Sequence, residues 1–215
     1  MEDTIPMDSL IFDVDGTLWN STDVVADSWN QVIQEKANMK PFITASVLKS
    51  QFGKTLPDIA ASLFPSLPAD EQLRLVESCC QREEELLRER SAPLYPDIEK
   101  VFQTLSKRYP IFIVSNCQAG YIEVFLHCTG FTPYVTDHLC PGDTGKGKAE
   151  NIKEIVRRHK LKNPAYIGDT LGDYHATKEA SADMPFIFAS YGFGEVAHPD
   201  YTIQKPMDLL DLLKV

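Results

Sequence analysis

The chain has 215 residues, 43% of them hydrophobic and 24% charged, with a formal net charge of −10, the make-up of an ordinary globular protein. The acidic balance argues against nucleic acid or an anionic membrane as the main partner, although a local cation can reverse the field at a single site. No apolar run approaches the roughly 20 residues that span a bilayer, and Met1–Pro6 lack the basic region and apolar core of a signal peptide.

Five cysteines without regular spacing give no disulfide framework, and the adjacent Cys79 and Cys80 form no Cys-x-x-Cys pair. All five are expected to be thiols in a reducing, cytoplasmic setting.

The run Ser9–Phe12 is short, apolar and rich in β-branched and aromatic residues, which predicts a buried strand. Asp13 and Asp15 end it. Side chains two apart on an extended segment share a face, so the two carboxylates should project together. Like charges so placed need a cation, a shared proton or a reaction to explain them. Gly16 permits a sharp turn, and Thr17 adds a hydroxyl.

From Thr22 to Met39, the residues Val24, Val25, Trp29, Val32 and Ile33 recur at helical spacing, with Ser21 and Thr22 as its caps. Short helices are expected over 45–51 and 58–64, broken by Gly53, Pro57 and Pro65. A long amphipathic helix follows over 69–90, and its Glu83-Glu84-Glu85 run reads as a solvated face. The proline-punctuated stretch 92–96 closes this helical block.

Strands and helices then alternate: helix 98–107, strand 110–115, helix 121–128, strand 134–139, helix 148–159, strand 165–168 and helix 171–180. Strands over 185–189 and 201–203 and a helix over 207–213 complete the chain. Alternation of this kind predicts an α/β fold, a doubly wound parallel sheet with helices on both faces. Residues 1–18 and 92–215 would form that core, with 19–91 inserted as an all-helical unit.

In open α/β sheets, sites lie beyond the carboxyl ends of the strands. The residues there are Ser115-Asn116, Asp169 and Asp173, and Lys148 at the end of Gly142-x-x-x-x-Gly147-Lys148. All converge on the edge where Asp13 and Asp15 emerge. Clustered carboxylates without a cation would repel one another, whereas oxygen-only ligands beside a substrate phosphate suit Mg2+. The stretch 142–148 also matches most of a P-loop, but Ala149 follows where that motif needs a hydroxyl.

Asp13-Val14-Asp15-Gly16-Thr17 after an apolar strand resembles the first signature of the haloacid dehalogenase-like (HAD) phosphohydrolases. Ser115 resembles the second, Lys148 the third, and Gly168-Asp169-x-x-x-Asp173 the fourth, in the family's order over essentially the whole chain. The helical insert after the first signature is similar to the cap of the phosphoglycolate phosphatase and β-phosphoglucomutase branch. The resemblance implies a Rossmann-like core with an inserted helical cap domain, a Mg2+ cofactor, and hydrolysis of a small phosphorylated metabolite. Asp15 separates the chain from the dehalogenases, which lack it.

By the same resemblance, Asp13 would be the nucleophile and Asp15 the general acid and then base. Lys148 would neutralise charge, and Thr17, Ser115 and Asn116 would hold the phosphate. The carboxylates of Asp13 and Asp169, with the Asp15 carbonyl, would ligate the metal, and Asp173 would join or support them. Lys54, in a loop between cap helices, would touch the substrate, while Trp19 and Asn20 would gate the site from the hinge. A tryptophan at position 19 departs from the small aliphatic residue often found in phosphoglycolate phosphatases. A β-phosphoglucomutase-like isomerase and a phospho-acceptor signalling domain are the alternatives. No nucleic-acid or membrane partner is expected, and monomer or homodimer stays open.

Overall fold

A computed structural model describes residues 7–215, so the signal-peptide reading of Met1–Pro6 lies outside the described residues. Strand β1 spans Ser9–Phe12 and is buried at every position. Helices α1 (Thr22–Ala37), α2 (Ala45–Lys49), α3 (Leu56–Leu63) and α4 (Ala69–Arg90) follow without an intervening strand. The core then alternates α5 (Ile98–Leu105), β2 (Ile111–Val114), α6 (Tyr121–Thr129), β3 (Val135–Leu139), α7 (Pro141–Thr144) and α8 (Lys148–His159). It ends with β4 (Pro164–Gly168), α9 (Leu171–Ala180), β5 (Phe186–Ala189), β6 (Tyr201–Ile203) and α10 (Asp208–Leu213).

Local chemistry sets several of these boundaries. Asn38 takes the left-handed conformation that ends α1, as asparagine does more readily than most residues. Thr44 and Thr55 accept hydrogen bonds from Val47 N and Asp58 N and so cap α2 and α3. Ser21 precedes α1 but makes no cap bond. Its hydroxyl is drawn instead to Asp15 Oδ1, at 2.5 Å, and Asn20 Oδ1 accepts from Thr22 N and Oγ1 in its place. The helix α7 was not anticipated, being only one turn long.

The sheet is six-stranded and wholly parallel, in the order β3-β2-β1-β4-β5-β6. Alternate residues feed different cores. Leu10, Phe12, Ile111, Ile113, Ala165 and Ile167 face one layer of helices, and Ile11, Phe112, Val114, Tyr166 and Phe186 face the other. Helices α1–α4 enclose a third cluster built on Val25, Trp29, Ile33, Leu48, Ile59 and Val76. The chain steps outward from β1 to β3 and then returns to place β4 beside β1. Strand order reverses there, which opens a crevice at the carboxyl ends of β1 and β4.

Glu83 corrects the sequence reading. It is buried, 5% exposed, while Glu85 is exposed and Glu84 lies between. Its phase decides this: three or four residues separate Glu83 from Cys79, Cys80, Leu86 and Leu87, all on the buried stripe of α4. No helix among the described residues is long and apolar enough to cross a membrane. The five cysteines are free thiols.

Candidate active site

Asp13 leaves β1 with its backbone N–H donating to Ile167 O of the neighbouring β4, which fixes its place at the crevice. Lys148, the first residue of α8, reaches across and donates from Nζ to Asp13 Oδ1 at 2.9 Å and to Asp173 Oδ1 at 2.5 Å. All three groups are buried, whereas Lys146 is exposed, so the lysine of the site is Lys148. Desolvation pushes the Lys148 ammonium down, but Asp13 and Asp173 outweigh it and hold the group well above its usual range, fully charged.

Asp173 serves two purposes. Besides pairing with Lys148, it accepts from Thr170 N and Oγ1 through Oδ2. Thr170 Oγ1 in turn accepts from Asp173 N, closing a capping box at the start of α9. Asp169 ends β4 and is fully buried. Its Oδ1 accepts from Thr17 Oγ1 at 3.3 Å and its Oδ2 from Phe193 N at 2.7 Å. Thr17 thus faces Asp169 from below, and the loop after β5 completes the enclosure. This loop, Tyr191-Gly192-Phe193-Gly194, was missed in the sequence; its two glycines after an apolar strand were the available signal.

Glycine is required where these segments touch. Gly16 has φ +82°, and a Cβ there would lie 2.0 Å from Asp169 Oδ2. A Cβ on Gly192 would meet Asp169 Cβ at 2.3 Å.

Asp13, Asp169 and Asp173 each offer a carboxylate oxygen within 4.8 Å of the others. Burial pushes the Asp13 carboxyl up to about 7, with Asp173 adding repulsion against the opposing pull of Lys148. Burial, then Asp173 and Asp13, hold Asp169 well above the usual carboxylate range. Three buried carboxylates face one lysine, so two negative charges lack a partner. Oxygen donors with this surplus fit a hard divalent cation.

Asp15 faces the same cavity as Asp13 but has its own partners. Its Oδ1 accepts from Trp19 Nε1 at 2.9 Å, Ser21 Oγ at 2.5 Å and Tyr121 OH at 2.8 Å. Burial still raises this carboxyl above its usual range. Trp19 is fully buried against Tyr121 and Phe125, with ring centroids 5.9 and 5.0 Å away. It holds Asp15 in place and is not an exposed gate. Asn20 N donates to Pro93 O, where the two crossings into the helical insert run side by side.

Ser115 follows β2, and its side chain opposes the rise of the Asp13 carboxyl. Asn116 Nδ2 donates to Gly53 O at 2.8 Å, tying the loop between α2 and α3 to the sheet edge. Phe52 of that loop packs on Phe193 with ring centroids 5.8 Å apart. Lys54 is exposed and donates to Gln51 Oε1 at 3.1 Å, so the cavity lining includes Gly53 but not Lys54. Glu83 does line it, together with Trp29 and Tyr121.

A family model described as haloacid dehalogenase-like hydrolase matches residues 10–187. A relative from Clostridium perfringens (strain 13 / Type A), provisionally named pyrophosphatase PpaX, is 22% identical, covering 96% of this chain and 97% of its own length. A haloacid dehalogenase-like hydrolase of known structure from Streptococcus pneumoniae is 22% identical with a TM-score of 0.82, over 95% of this chain and 97% of its own. A structure from Lactobacillus plantarum with the provisional name phosphoglycolate phosphatase gives 22% identity and a TM-score of 0.82, over 97% and 100%. With 178 consecutive residues matched by the model, and with Asp13, Lys148, Asp169 and Asp173 gathered at the switch point of the sheet, the chain belongs to the haloacid dehalogenase-like hydrolase family.

Proposed function

We propose that this hydrolase is a Mg2+-dependent phosphatase that cleaves a small phosphate monoester through an aspartyl-phosphate on Asp13, with residues 19–91 as a cap over the site. The observation that carries the reading is the buried Asp13–Lys148–Asp173 chain beside Asp169. It leaves one Asp13 oxygen free of Lys148 and a charge surplus that suits a divalent cation. The phosphatase names of two relatives agree with it.

Asp13 and Asp169, with the Asp15 carbonyl, would hold Mg2+, which when bound supplies charge neutralisation for the phosphoryl oxygens. Asp173 has both oxygens engaged and would hold Lys148 and α9 in place. Asp13 Oδ2 attacks phosphorus, and the bond from phosphorus to the ester oxygen breaks. Lys148 and the Ser115 hydroxyl steady the phosphoryl group. Asp15 is suited to general acid work, because burial favours its protonated form. Three donors occupy its Oδ1, so the proton resides on Oδ2 and passes from there to the departing alkoxide. Asp15 then takes a proton from water, which attacks phosphorus and returns free Asp13 and inorganic phosphate.

Purified protein with Mg2+ should hydrolyse p-nitrophenyl phosphate, and EDTA should stop it. Asp13→Asn should remove all turnover. Hydrolysis that survives this substitution refutes the nucleophile assignment, and stoichiometric labelling by acetyl phosphate without turnover favours a phospho-acceptor domain instead.

A further inference from the structure

The cavity above Asp13 has an unusual polar inventory. Glu83 projects into it from α4 with no cationic partner. Its Oε2 accepts from Trp29 Nε1 at 2.6 Å and its Oε1 from Gln118 Nε2 at 3.3 Å, both neutral donors. Asn116 Oδ1 is buried without any partner. Its identity as the oxygen follows from the amide nitrogen, which donates to Gly53 O. The donors nearby are committed: Trp29 and Gln118 to Glu83, and Tyr121 to Asp15. No lysine, arginine or histidine is among the described residues that line the cavity. What remains open to a ligand is therefore the Asn116 oxygen and the Glu83 carboxyl, with no cation beside them.

A buried acceptor without a donor, such as Asn116 Oδ1, costs about 1–3 kcal/mol, and the buried Glu83 carboxyl is held by neutral donors alone, so both groups suit a ligand that brings hydrogens. The geometry points to Glu83 and Asn116 as the specificity determinants of this enzyme, selecting phosphate monoesters whose small alcohol carries an amine or hydroxyl and rejecting those that carry an anion. This rests on the phosphatase reading above and names the substrate class within it. Phe52 and Ile59 line the same cavity and suit the methylenes of such an alcohol. Burial pushes the Glu83 carboxyl up to about 8, with Asp15 adding repulsion. A ligand ammonium would take the place of that proton, whereas a carboxylate or second phosphate would enter a buried lining that offers it no cation. Pyrophosphate and phosphoglycolate, which the names of the relatives invoke, both have anionic leaving groups.

Four near-isosteric esters test this: 2-aminoethyl, 2-hydroxyethyl, ethyl and carboxymethyl phosphate. Each kcat/KM is divided by that for ethyl phosphate on the same protein, so that a general loss of activity cancels. In the wild type, the aminoethyl or hydroxyethyl ester should exceed ethyl phosphate by at least about 10-fold, and the carboxymethyl ester should fall at least about 10-fold below it. Which of the first two leads identifies the donor as amine or hydroxyl, and either upholds the assignment. In Glu83→Gln the aminoethyl advantage and the carboxymethyl penalty should both shrink about 10-fold. Equal turnover of the carboxymethyl and ethyl esters by the wild type, or unchanged ratios in the variant, overturns the role of Glu83. Hydrolysis of p-nitrophenyl phosphate with none of the four esters accepted also overturns it while leaving the phosphatase reading intact. Failure on all five refutes the phosphatase reading itself.

Discussion

Glu83→Gln should make the protein more stable at alkaline pH and nearly unchanged in acid. The Glu83 carboxyl rises from 4.5 to about 8 on folding, first through desolvation and then through Asp15. Below pH 4.5 both the folded and unfolded chains carry the proton, and the group contributes no pH dependence. Between pH 4.5 and 8 the unfolded chain releases the proton while the folded chain keeps it, so stability falls as pH rises. At about 1.4 kcal/mol per unit, the loss approaches ~5 kcal/mol by pH 8.

Glutamine cannot ionise and retains an oxygen for Trp29 Nε1, so the variant escapes this loss. Urea unfolding at pH 5, 6.5 and 8 in EDTA measures the difference. The two proteins should agree within about 1 kcal/mol at pH 5, and the variant should lead by about 3–5 kcal/mol at pH 8. In a chain of this size that is a Tm gain on the order of 10 °C. The groups that face Glu83, namely Asp15, Tyr121 and Glu84 with Cys79 and Cys80 on its own helix, are common to both proteins and largely cancel. A stability difference that stays flat from pH 5 to 8 refutes the reasoning.

Gly16→Ala should cost at least 100-fold in p-nitrophenyl phosphate hydrolysis and about 2–4 kcal/mol in stability, because the new methyl enters the Asp169 carboxylate at a left-handed backbone position. Near wild-type turnover would show that Asp169 has no fixed role. Lys148→Met should remove activity and, measured by denaturation without metal at pH 7, destabilise by about 3–5 kcal/mol, since two buried carboxylates lose their shared cation. A loss below 1 kcal/mol would mean that Asp13 and Asp173 have other means of neutralisation.

Much of this molecule was legible from residue order alone. Ile111–Val114 could only be a strand buried on both sides, and the acidic pairs that follow β1 and β4 had to meet once the sheet was parallel. The lysine at position 148 was separable from Lys146 because only the former begins the periodic helix. What escaped notice depended on phase and on loop conformation. Glu83 sits within an acidic run whose composition suggests solvent, yet the turn of α4 that carries Cys79 and Leu86 points it inward. Trp19 looked like a gate because its partners, Tyr121 and Phe125 of α6, meet it only in three dimensions. The loop at 191–194 contributes a backbone N–H, which no side-chain pattern announces.

The bond from Asn116 to Gly53 has a consequence for the order of events in turnover. Asn116 follows directly on Ser115, which lines the same cavity as Asp13, so a single peptide segment joins the neighbourhood of Asp13 on one side to the α2–α3 loop on the other. Two equilibria that share a segment are linked, and the coupling is reciprocal. Whatever a bound phosphoryl group does to favour the closed loop, the closed loop does in equal measure for the phosphoryl group. On the proposed phosphatase reading, departure of inorganic phosphate and lifting of the loop would be linked, through a latch that includes the Asn116–Gly53 hydrogen bond and the contact of Phe52 on Phe193.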